Sequence, residues 1–284
     1  MANSVFSNAV AVITGAASGM GRYMAIQAAE RGAYVIALDK NADGLAETES
    51  MAKAKGQTIE TKVLDVSDAA AIAKFAEEAT SKFNKRKLIL INNAGVALLS
   101  GTFEHTPMED FEWLININLW GVIRMTKAFY PYLIASNEGH VVNISSVFGL
   151  AGMANNSAYC TAKFGVRGFT ETIRMELMGT NIGTTVVHPG GIKTNIVNNA
   201  PARGNYVTED IRKKTATRFT EMAMTTADNA ARQILDAVEK KQEKLVIGPD
   251  GKLMNVLTRL FPVRYTKIMK RQMDKMMEGV EQGK

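Results

Sequence analysis

The stretch Thr14-Gly15-Ala16-Ala17-Ser18-Gly19-Met20-Gly21 follows a short run of apolar residues and precedes a segment with helical spacing. Its three glycines stand between a predicted strand and a predicted helix, where the backbone must turn sharply and approach a pyrophosphate closely. The helix that begins near Met20 would turn unpaired N–H groups and the positive end of its dipole towards that anion. This stretch predicts a dinucleotide-binding turn, and a tight turn with a purely structural role is the alternative.

The rest of the chain repeats the order of strand, turn and helix. Several of its apolar runs lack polar alternation, which is typical of strands buried on both faces of a parallel sheet. The predicted strands are 9–13, 34–38, 59–64, 88–91, 140–144, 184–187 and 245–247, and the predicted helices are 20–31, 43–55, 69–83, 107–135, 157–178 and 227–240. Right-handed crossovers between them predict a doubly wound α/β fold of about seven strands, which binds ligands at the carboxyl ends of its strands.

The composition is that of a folded globular protein. Of the 284 residues, 46% are apolar and 22% are charged, which excludes general disorder. A single cysteine, Cys160, excludes an internal disulfide and fits a reducing compartment, and the three histidines are too far apart to resemble a metal site. The first residues, Met-Ala-Asn-Ser-Val-Phe-Ser-Asn, lack the charged start and long apolar run of a targeting segment. We therefore expect a cytoplasmic protein with no metal and no membrane-spanning helix.

The positive charge of the chain is concentrated at its C-terminal end. The formal net charge is +6, and residues 252–284 contribute +5 of it through eight basic and three acidic residues. The preceding 251 residues are close to neutral, so we expect no nucleic-acid partner. Apolar residues recur at helical spacing between the basic ones, at Leu253, Val256, Leu257, Leu260, Phe261, Tyr265, Ile268, Met269, Met273 and Met276. The pattern predicts a C-terminal helical extension that packs on the domain or on a sister subunit, covers the substrate as a lid, or makes a peripheral contact with an anionic membrane.

The chain thus divides into a dinucleotide-binding domain, residues 1–251, and the basic amphipathic extension, residues 252–284. Within the domain, residues 195–225 follow the sixth predicted strand without a clear strand pattern and are long enough to cover a ligand as a lid. Gly248-Pro249-Asp250-Gly251 is a strong turn pattern that closes the last strand.

An acid ends the second predicted strand. Asp39 lies about 20 residues beyond the glycine turn, where a carboxylate would bind the ribose hydroxyls of adenosine. A carboxylate also repels a 2′-phosphate, so Asp39 favours NAD over NADP, although the neighbouring Lys40 would suit a phosphate. We therefore expect NAD.

Three motifs together resemble one family. The glycines follow the pattern G-x-x-x-G-x-G after a threonine, Asn92-Asn93-Ala94-Gly95 follows the fourth predicted strand, and Tyr159-Cys160-Thr161-Ala162-Lys163 follows the fifth. In this order and context they resemble the short-chain dehydrogenase/reductase family, in its branch with a compact single domain. The resemblance runs from about residue 5 to residue 248. It implies a Rossmann-type fold, oxidoreductase activity and a homodimer or homotetramer that assembles through the long helices 107–135 and 157–178.

Tyr159 and Lys163 are four residues apart, so a helix places both on one face, one turn apart. A free phenol has a pKa of about 10, and a neighbouring ammonium with a positively charged nicotinamide would stabilise its anion and lower that value. Ser146 lies at the end of the fifth predicted strand, where its hydroxyl would hydrogen-bond a substrate oxygen.

The family resemblance implies a role for each of these residues. Tyr159 would be the general acid/base, Ser146 would orient the substrate oxygen, and Lys163 would lower the tyrosine pKa and bind the nicotinamide ribose. Asn118 matches the asparagine that helps to link this lysine to solvent through water, and Asn116 competes with it for that role.

The resemblance also implies which residues hold the cofactor. Asp65 and Val66 would contact adenine, and Ile192 and Thr194 would hold the carboxamide, whereas His188, which precedes Pro-Gly, is expected to be structural. The full expected set is Gly15, Ser18, Gly19, Met20, Gly21, Asp39, Asp65, Val66, Asn92, Ala94, Gly95, Tyr159, Lys163, Pro189, Gly190, Ile192 and Thr194.

The substrate is the least constrained part of the prediction. Residues 195–225 contain no arginine cluster for a carboxylate or phosphate, and Phe148, Leu150 and Met153 would add an apolar wall after Ser146. We predict NAD-dependent interconversion of a secondary alcohol and a ketone, on a medium-sized or bulky apolar small molecule. The alternatives are an NADPH-dependent carbonyl or 3-oxoacyl-type reductase and, in another class, a catalytically silent NAD-binding regulatory or scaffold protein.

Overall fold

The computed structural model describes residues 4–203 and 207–271 and has a parallel β-sheet at its centre. The strands are β1 (Val10–Thr14), β2 (Tyr34–Asp39), β3 (Glu60–Val63), β4 (Leu88–Asn92), β5 (Gly139–Ile144), β6 (Ile182–Pro189), β7 (Ile192–Lys193), β8 (Thr225–Thr226) and β9 (Lys244–Ile247). Seven of them form the main sheet in the order β3-β2-β1-β4-β5-β6-β9, with every neighbouring pair parallel, while β7 and β8 pair separately. The predicted doubly wound fold is confirmed, and its switch point lies between β1 and β4.

Helices cover both faces of this sheet. They are α1 (Gly19–Glu30), α2 (Ala42–Ala54), α3 (Ala69–Thr80), α4 (Met108–Ile115), α5 (Gly121–Ser136), α6 (Ser157–Glu176), α7 (Glu209–Met222), α8 (Ala227–Glu239) and α9 (Pro249–Leu260). In β1, Ala11 and Ile13 belong to the core shared with α1 and α8, and Val10 and Val12 to the core shared with α3 and α5. Burial of each valine or isoleucine contributes about 1.5–3 kcal/mol, which explains why these strands are apolar on both sides.

The predicted helix 107–135 is interrupted. The chain forms α4, then a π-helical turn over Asn116–Trp120, and then α5. Such turns insert an extra residue per turn and re-aim the side chains that follow, often at functional sites. The periodicity of the apolar residues does not reveal the break, because α4 and α5 each keep helical spacing.

Residues 195–225 are partly helical. Residues 195–203 form a loop that a bridge between Leu99 and Ala202 ties to the segment after β4. Farther on, α7 begins after Thr208, whose hydroxyl accepts a hydrogen bond from the backbone of Ile211 at 3.3 Å. The sequence prediction missed α7 because charged residues dominate its exposed surface, and Tyr206 of the predicted lid lies outside the described residues.

The helix α9, which carries the first part of the predicted extension, begins at Pro249. Gly248 has a φ of +87°, but Pro249 opens α9, so the residues interpreted as a closing turn form the first turn of a helix. Proline suits this position because its missing N–H would have no partner there. Residues 265–271 are helical again, whereas Met273 and Met276 of the predicted pattern lie outside the described residues. No helix in 4–203 or 207–271 is long and apolar enough to cross a membrane.

Candidate active site

A cleft of about 500 Å³ opens at the carboxyl ends of β1 to β4, at the switch point of the sheet. The glycine turn after β1 and the loop after β4 line its centre, and residues 194–201 line another side. Ten of the predicted cofactor residues line it: Gly15, Ser18, Gly19, Met20, Asp39, Asp65, Val66, Ala94, Gly95 and Thr194. The cleft therefore lies where the sequence predicts a dinucleotide.

The glycines of this turn lie where added side chains would crowd or clash with neighbouring atoms. Gly15 has a φ of +69°, which residues with a Cβ rarely adopt, and a Cβ there would lie 2.8 Å from the Cα of Ala94. A Cβ on Gly21 would clash with the carbonyl oxygen of Gly15, because α1 packs directly on the turn. At Gly19, a Cβ would come within 3.2 Å of the Thr194 side chain. The glycines thus allow the backbone to form the surface of the cleft.

The first turn of α1 is suited to an anion. Ser18 is its N-cap, the serine side chain makes no capping hydrogen bond, and no acidic residue lies in the first turn. A helix of this length carries about half a positive charge at its N-terminus, where its first N–H groups lack helical partners. Together with the bare glycine turn, these groups fit the pyrophosphate of a dinucleotide.

Backbone contacts hold Asp39 at the edge of the cleft. Its Oδ2 accepts from the backbone N–H of Ala17 at 3.1 Å, and its Oδ1 accepts from that of Asn41 at 3.0 Å. The exposed Lys40 lines the cleft beside it. Arg22 forms a 2.6 Å ion pair with Glu47 and does not line the cleft. At this end of the cleft, the fixed charge is therefore a carboxylate and the accessible cation is Lys40.

Asp65 and Val66 line the cleft after β3. Burial raises the pKa of the Asp65 carboxyl, but hydrogen bonds from the backbone and hydroxyl of Ser67, at 2.8 and 2.7 Å, outweigh it and leave the pKa below its usual range. A Cβ on Gly121 would lie only 3.0 Å from Val66, so the start of α5 packs tightly against this wall.

The structure corrects the expectation for Asn92. Its amide nitrogen donates to Thr126 at 2.9 Å and to Asn143 at 2.8 Å inside the core, and it does not line the cleft. Asn93 lines the cleft instead, and its amide donates to the carbonyl oxygen of Thr14 at 2.9 Å. Successive side chains at the end of a strand point in opposite directions, so the register of β4 in the sheet decides which of the two asparagines faces the cleft.

Ser146, Tyr159 and Lys163 meet at the carboxyl end of β5. The side chains of Ser146 and Tyr159 hydrogen-bond each other, and the Ser146 hydroxyl also accepts from the backbone of Phe148 at 3.1 Å. The Lys163 Nζ lies 5.6 Å from the Tyr159 ring centroid and donates to the Ile144 carbonyl oxygen at 2.9 Å.

These three residues adjoin the cleft without lining it. The contact runs through Gly95, which lines the cleft and where a Cβ would be only 3.5 Å from the Lys163 Nζ. The predicted hydroxyl–phenol–ammonium group is therefore assembled from β5 and α6 beside the predicted dinucleotide site.

Burial dominates the pKa values of Tyr159 and Lys163 in the chain by itself. Burial raises the pKa of the Tyr159 phenol to about 12, although the hydrogen bond with Ser146 lowers it. Burial lowers the pKa of the Lys163 ammonium to about 8. In the chain by itself, desolvation of the phenol thus outweighs the hydrogen bond with Ser146, and Tyr159 holds its proton at neutral pH.

The π-helical turn places Asn118 and Asn116 in different surroundings. Asn118 is fully buried, and its side chain exchanges two 2.8 Å hydrogen bonds with the backbone of Val96, next to Gly95. Asn116 is partly exposed and accepts from Arg124 at 2.6 Å. Asn118 therefore adjoins the loop that contacts Lys163, whereas Asn116 belongs to a separate polar contact.

Of the predicted cofactor residues at the end of β6 and beyond it, one lines the cleft and the others support its backbone. Thr194 lines the cleft, whereas Pro189, Gly190 and the buried Ile192 do not. A Cβ on Gly190 would clash with Asp250, whose carboxylate accepts from the backbone of Gly191 at 2.7 Å. Close packing on α9 thus fixes the backbone that precedes Thr194.

An ion pair between the buried carboxylate of Asp110 and the exposed side chain of Arg203 holds the segment 195–203 over the cleft. Asp110 of α4 is 3% exposed, and Arg203 donates to its carboxylate at 2.6 Å while lying 5.0 Å above the Trp113 ring. Backbone hydrogen bonds from Leu99 to Pro201, at 3.2 Å, and from Arg203 to Leu99, at 3.0 Å, add to this contact. No local sequence pattern indicates Asp110 or Arg203, because 93 residues separate them.

The surroundings of Tyr159 are apolar. Its ring lies edge-on to Phe148, with 6.1 Å between centroids. A small cluster surrounds it, formed by Val96, Leu98, Phe111, Trp113, Leu114, Ile115, Leu119, Ala158 and Ala162. Cys160 is buried and its sulfur contacts the backbone of Met153, as expected of a packing residue.

A doubly wound sheet, a glycine turn at its switch point and a Ser-Tyr-Lys group beside that turn define a class, the dinucleotide-dependent oxidoreductases. Residues 9–205 match the family model described as short chain dehydrogenase. The putative oxidoreductase SadH of Mycobacterium tuberculosis is 38% identical over 270 residues, which are 94% of this chain and 95% of that protein. The chain therefore belongs to the short chain dehydrogenase family, and it is an oxidoreductase with an NAD(P)-binding Rossmann-type fold.

Other similar proteins agree with this placement. The 3-oxoacyl-[acyl-carrier-protein] reductase FabG of Thermotoga maritima is 36% identical over 197 residues, 68% of this chain and 78% of that protein. A short chain dehydrogenase/reductase from Burkholderia phymatum, solved in complex with NAD, superposes with a TM-score of 0.80 at 26% identity, over 94% of this chain and 96% of that one. Levodione reductase has a TM-score of 0.76 at 27% identity, over 88% and 98% of the two chains.

Proposed function

We propose that this protein is an NAD-dependent oxidoreductase that interconverts a secondary alcohol and a ketone, with Tyr159 as general acid/base. The observation that carries the proposal is the grouping of Ser146, Tyr159 and Lys163 in one buried corner, against Gly95 of the dinucleotide cleft. A scaffold protein would have no use for a buried ammonium beside a partly buried phenol, because burial of an ammonium is costly.

Each of these side chains has a task in the proposed reaction. When bound, a nicotinamide supplies or accepts the hydride at the carbonyl carbon, while the glycine turn and Asp39 hold its dinucleotide. During reduction, Tyr159 donates its Oη proton to the carbonyl oxygen, and during oxidation it takes that proton from the alcohol. Ser146 donates a hydrogen bond to the same oxygen and fixes its position. The Lys163 ammonium offsets the negative charge left on the phenol, and Asn118 supports the adjoining loop.

Asp39 supports NAD as the preferred cofactor. Its carboxylate is held by two backbone N–H groups at the ribose end of the cleft, where it would accept hydrogen bonds from ribose hydroxyls and repel a 2′-phosphate. The similar Burkholderia phymatum enzyme was solved with NAD, which agrees with this preference. Lys40 is the feature that favours NADP.

Asp39→Asn is expected to shift the ratio of kcat/KM for NAD over NADP towards NADP by about tenfold or more. The amide oxygen keeps one of the two backbone contacts, and the substitution removes the charge that repels the phosphate, an effect of about 1–4 kcal/mol at contact distance. Initial rates with both cofactors measure the ratio. Asp43→Asn, an exposed change on α2, is the matched control, and an unchanged ratio in Asp39→Asn would assign the selectivity elsewhere.

The substrate is expected to be a medium-sized or bulky apolar molecule. The apolar cluster around Tyr159 and the aromatic edge of Phe148 form a surface that would bury carbon atoms next to the reacting oxygen. The segment 195–203, held by Asp110 and Arg203, would cover such a substrate as a lid.

Arg203→Met is expected to raise the KM for substrate by about tenfold with a smaller effect on kcat. The change leaves the Asp110 carboxylate buried without its charge-assisted hydrogen bond, which costs about 1.5–3 kcal/mol and favours an open lid. Steady-state kinetics measure both constants. Arg167→Met, which removes a comparably exposed ion pair with Glu171 on α6 outside the lid, is the matched control, and equal effects of the two substitutions would contradict the proposed role.

A reductase that uses NADPH on carbonyl or 3-oxoacyl substrates is the second candidate. Lys40 in the cleft lining and the similarity to the Thermotoga maritima 3-oxoacyl reductase favour it. Dominant activity with NADPH on acyl thioester ketones, and none on secondary alcohols with NAD, would select this candidate.

The domain organisation, location and assembly of the protein are proposed from its sequence and its exposed surface. We propose a catalytic domain of residues 1–251 with a lid at 195–225, an extension of residues 252–284, a cytoplasmic location, and a homodimer or homotetramer that assembles through α4, α5 and α6. The exposed side chains of Trp120 and Phe164 on this surface support such an assembly.

The decisive experiment is nicotinamide absorbance at 340 nm with NAD or NADP and a graded panel of secondary alcohols and ketones, from small diols through steroids to long-chain hydroxy compounds. Turnover with NAD that increases with the apolar size of the substrate is the expected result. Absence of turnover across the panel, with NAD still raising the melting temperature, would favour a catalytically silent NAD-binding regulatory or scaffold protein.

A further inference from the structure

The C-terminal arm, residues 249–271, exposes apolar side chains on one face. Leu253 is 69% exposed and Leu260 66%, with Val256 between them at the spacing that places all three on one side of α9. Phe261, Val263 and Ile268 continue the exposed apolar surface beyond the helix. The opposite side of α9, with Met254 and Leu257, is half-buried against the domain. The arm is thus an amphipathic element whose apolar face is turned outwards.

Basic residues accompany this apolar face. Lys252 and Arg259 lie one turn to either side of Val256 on the exposed surface of α9, and Arg264, Lys267, Lys270 and Arg271 follow. The arm contains six basic residues and one acidic residue, Asp250, whose carboxylate is bound to the backbone of Gly191. Among the described residues, no ion pair involves Lys252, Arg259 or Arg264.

The arm is attached to loops of the active site. The Tyr265 hydroxyl accepts from the backbone of Gly152 at 3.0 Å, on the loop that follows Ser146. A Cβ on Gly251 would lie 3.2 Å from Val147, which directly follows Ser146. The exposed face of the arm therefore has a fixed place beside the catalytic corner.

We propose that the C-terminal arm docks on the surface of an anionic lipid bilayer. An outward apolar stripe edged by lysine and arginine is the pattern of a helix that lies in the membrane interface, with apolar side chains between acyl chains and cations at the phosphates. A second copy of the chain is a poorer occupant, because a two-fold contact would bring two arms together, each with a net charge of +5.

Docking has a consequence for the substrate, which rests on the proposed function. The attachment of the arm at Gly152 and Val147 brings the apolar surroundings of Tyr159 close to the bilayer. An apolar alcohol or ketone dissolved in the membrane is therefore the substrate class that this arrangement suits.

Vesicle co-sedimentation of the full-length protein tests the docking without using enzyme activity. Phosphatidylcholine vesicles and vesicles of phosphatidylcholine mixed with phosphatidylglycerol are the two surfaces. We expect at least about tenfold stronger partitioning onto the anionic vesicles, and a loss of this difference at high salt. Equal partitioning, or none, would overturn the proposal.

Two variants separate the apolar and the electrostatic contributions. The triple substitution Leu253→Ser, Val256→Ser and Leu260→Ser should weaken partitioning by about tenfold or more. The double substitution Lys252→Glu and Arg259→Glu should weaken partitioning by about tenfold or more on anionic vesicles only. These side chains are exposed, so melting temperatures should stay near that of the wild type.

Controls match each variant in chemistry and exposure. Met175→Ser with Met178→Ser removes exposed apolar side chains elsewhere, and Lys53→Glu with Lys213→Glu makes the same charge change elsewhere; both should bind vesicles as the wild type does. Wild-type binding by the triple variant would overturn the proposal. A triple variant that instead lowers the oligomeric state, in a protein that does not bind vesicles, would assign this face to a sister subunit.

Discussion

Tyr159→Phe is expected to lower kcat by about 10²–10⁴-fold, the usual contribution of a positioned general acid/base. Phenylalanine preserves the ring and its edge contact with Phe148 but removes the only group of Tyr159 that can move a proton. The Ser146 hydroxyl, which hydrogen-bonds the phenol in the wild type, remains to orient the substrate oxygen. Initial rates at 340 nm with the best substrate measure the loss.

The cofactor should still bind to this variant. Tyr159 adjoins the cleft without lining it, so NAD should raise the melting temperature of Tyr159→Phe nearly as much as that of the wild type. Tyr130→Phe, at a partly buried position on α5, is the matched control and should keep full activity. A Tyr159→Phe enzyme that retains half of the wild-type kcat would refute the assignment of the general acid/base.

The free energy of unfolding is expected to fall steeply between pH 6.5 and pH 4 because of two buried histidines. Burial, with Lys241 nearby, lowers the pKa of His140 to about 4. Burial also lowers the pKa of His188 to about 4, although the hydrogen bond with the Ser146 carbonyl raises it. Between pH 6.5 and pH 4, the histidines of the unfolded chain take up protons and those of the folded chain do not. The free energy of unfolding that is present above pH 6.5 is therefore lost on acidification. Each histidine contributes about 3 kcal/mol to the loss.

The slope of the free energy of unfolding against pH reports histidine protonation independently of how stable each variant is at neutral pH. Denaturant titrations at several pH values should give a slope of about 1.4 kcal/mol per pH unit for each histidine within this window. His140→Gln and His188→Gln should each remove about half of the combined slope, even where they destabilise the protein at neutral pH. His105→Gln, at an exposed position, should leave the slope unchanged, and a wild-type slope in both buried-site variants would contradict the explanation.

The sequence predicts the main sheet well because its central strands β1, β4 and β5 are buried on both faces, so that a continuous apolar run admits few other interpretations. Each of the seven predicted strands overlaps a strand of the structure, including the largely exposed edge strand β3. The missed elements carry weaker patterns: β7 and β8 have two residues each, and α7 is mostly polar. The break between α4 and α5 escaped prediction because one extra residue in a turn hardly changes the spacing of apolar positions.

Parts of the site are also readable from the sequence. The glycine turn and the Tyr159–Lys163 spacing depend on residues within a few positions of each other, and the structure brings the corresponding side chains to one end of the sheet. The pKa of Tyr159 was less predictable, because it depends on how completely the fold removes water from the phenol. The roles of these residues in catalysis stay predictions that the substitutions above test.

The sequence by itself determines the order of strands and helices, the glycine turn after β1 and the helical spacing of Tyr159 and Lys163, because short-range sterics and periodicity govern all three. Only the tertiary structure decided between neighbouring polar residues, turning Asn93 and not Asn92 to the cleft and pairing Asn118 and not Asn116 with Val96. It also joined Asp110 to Arg203 across 93 residues. The physical reason is that such choices depend on strand register and on contacts between distant segments, which no local pattern encodes.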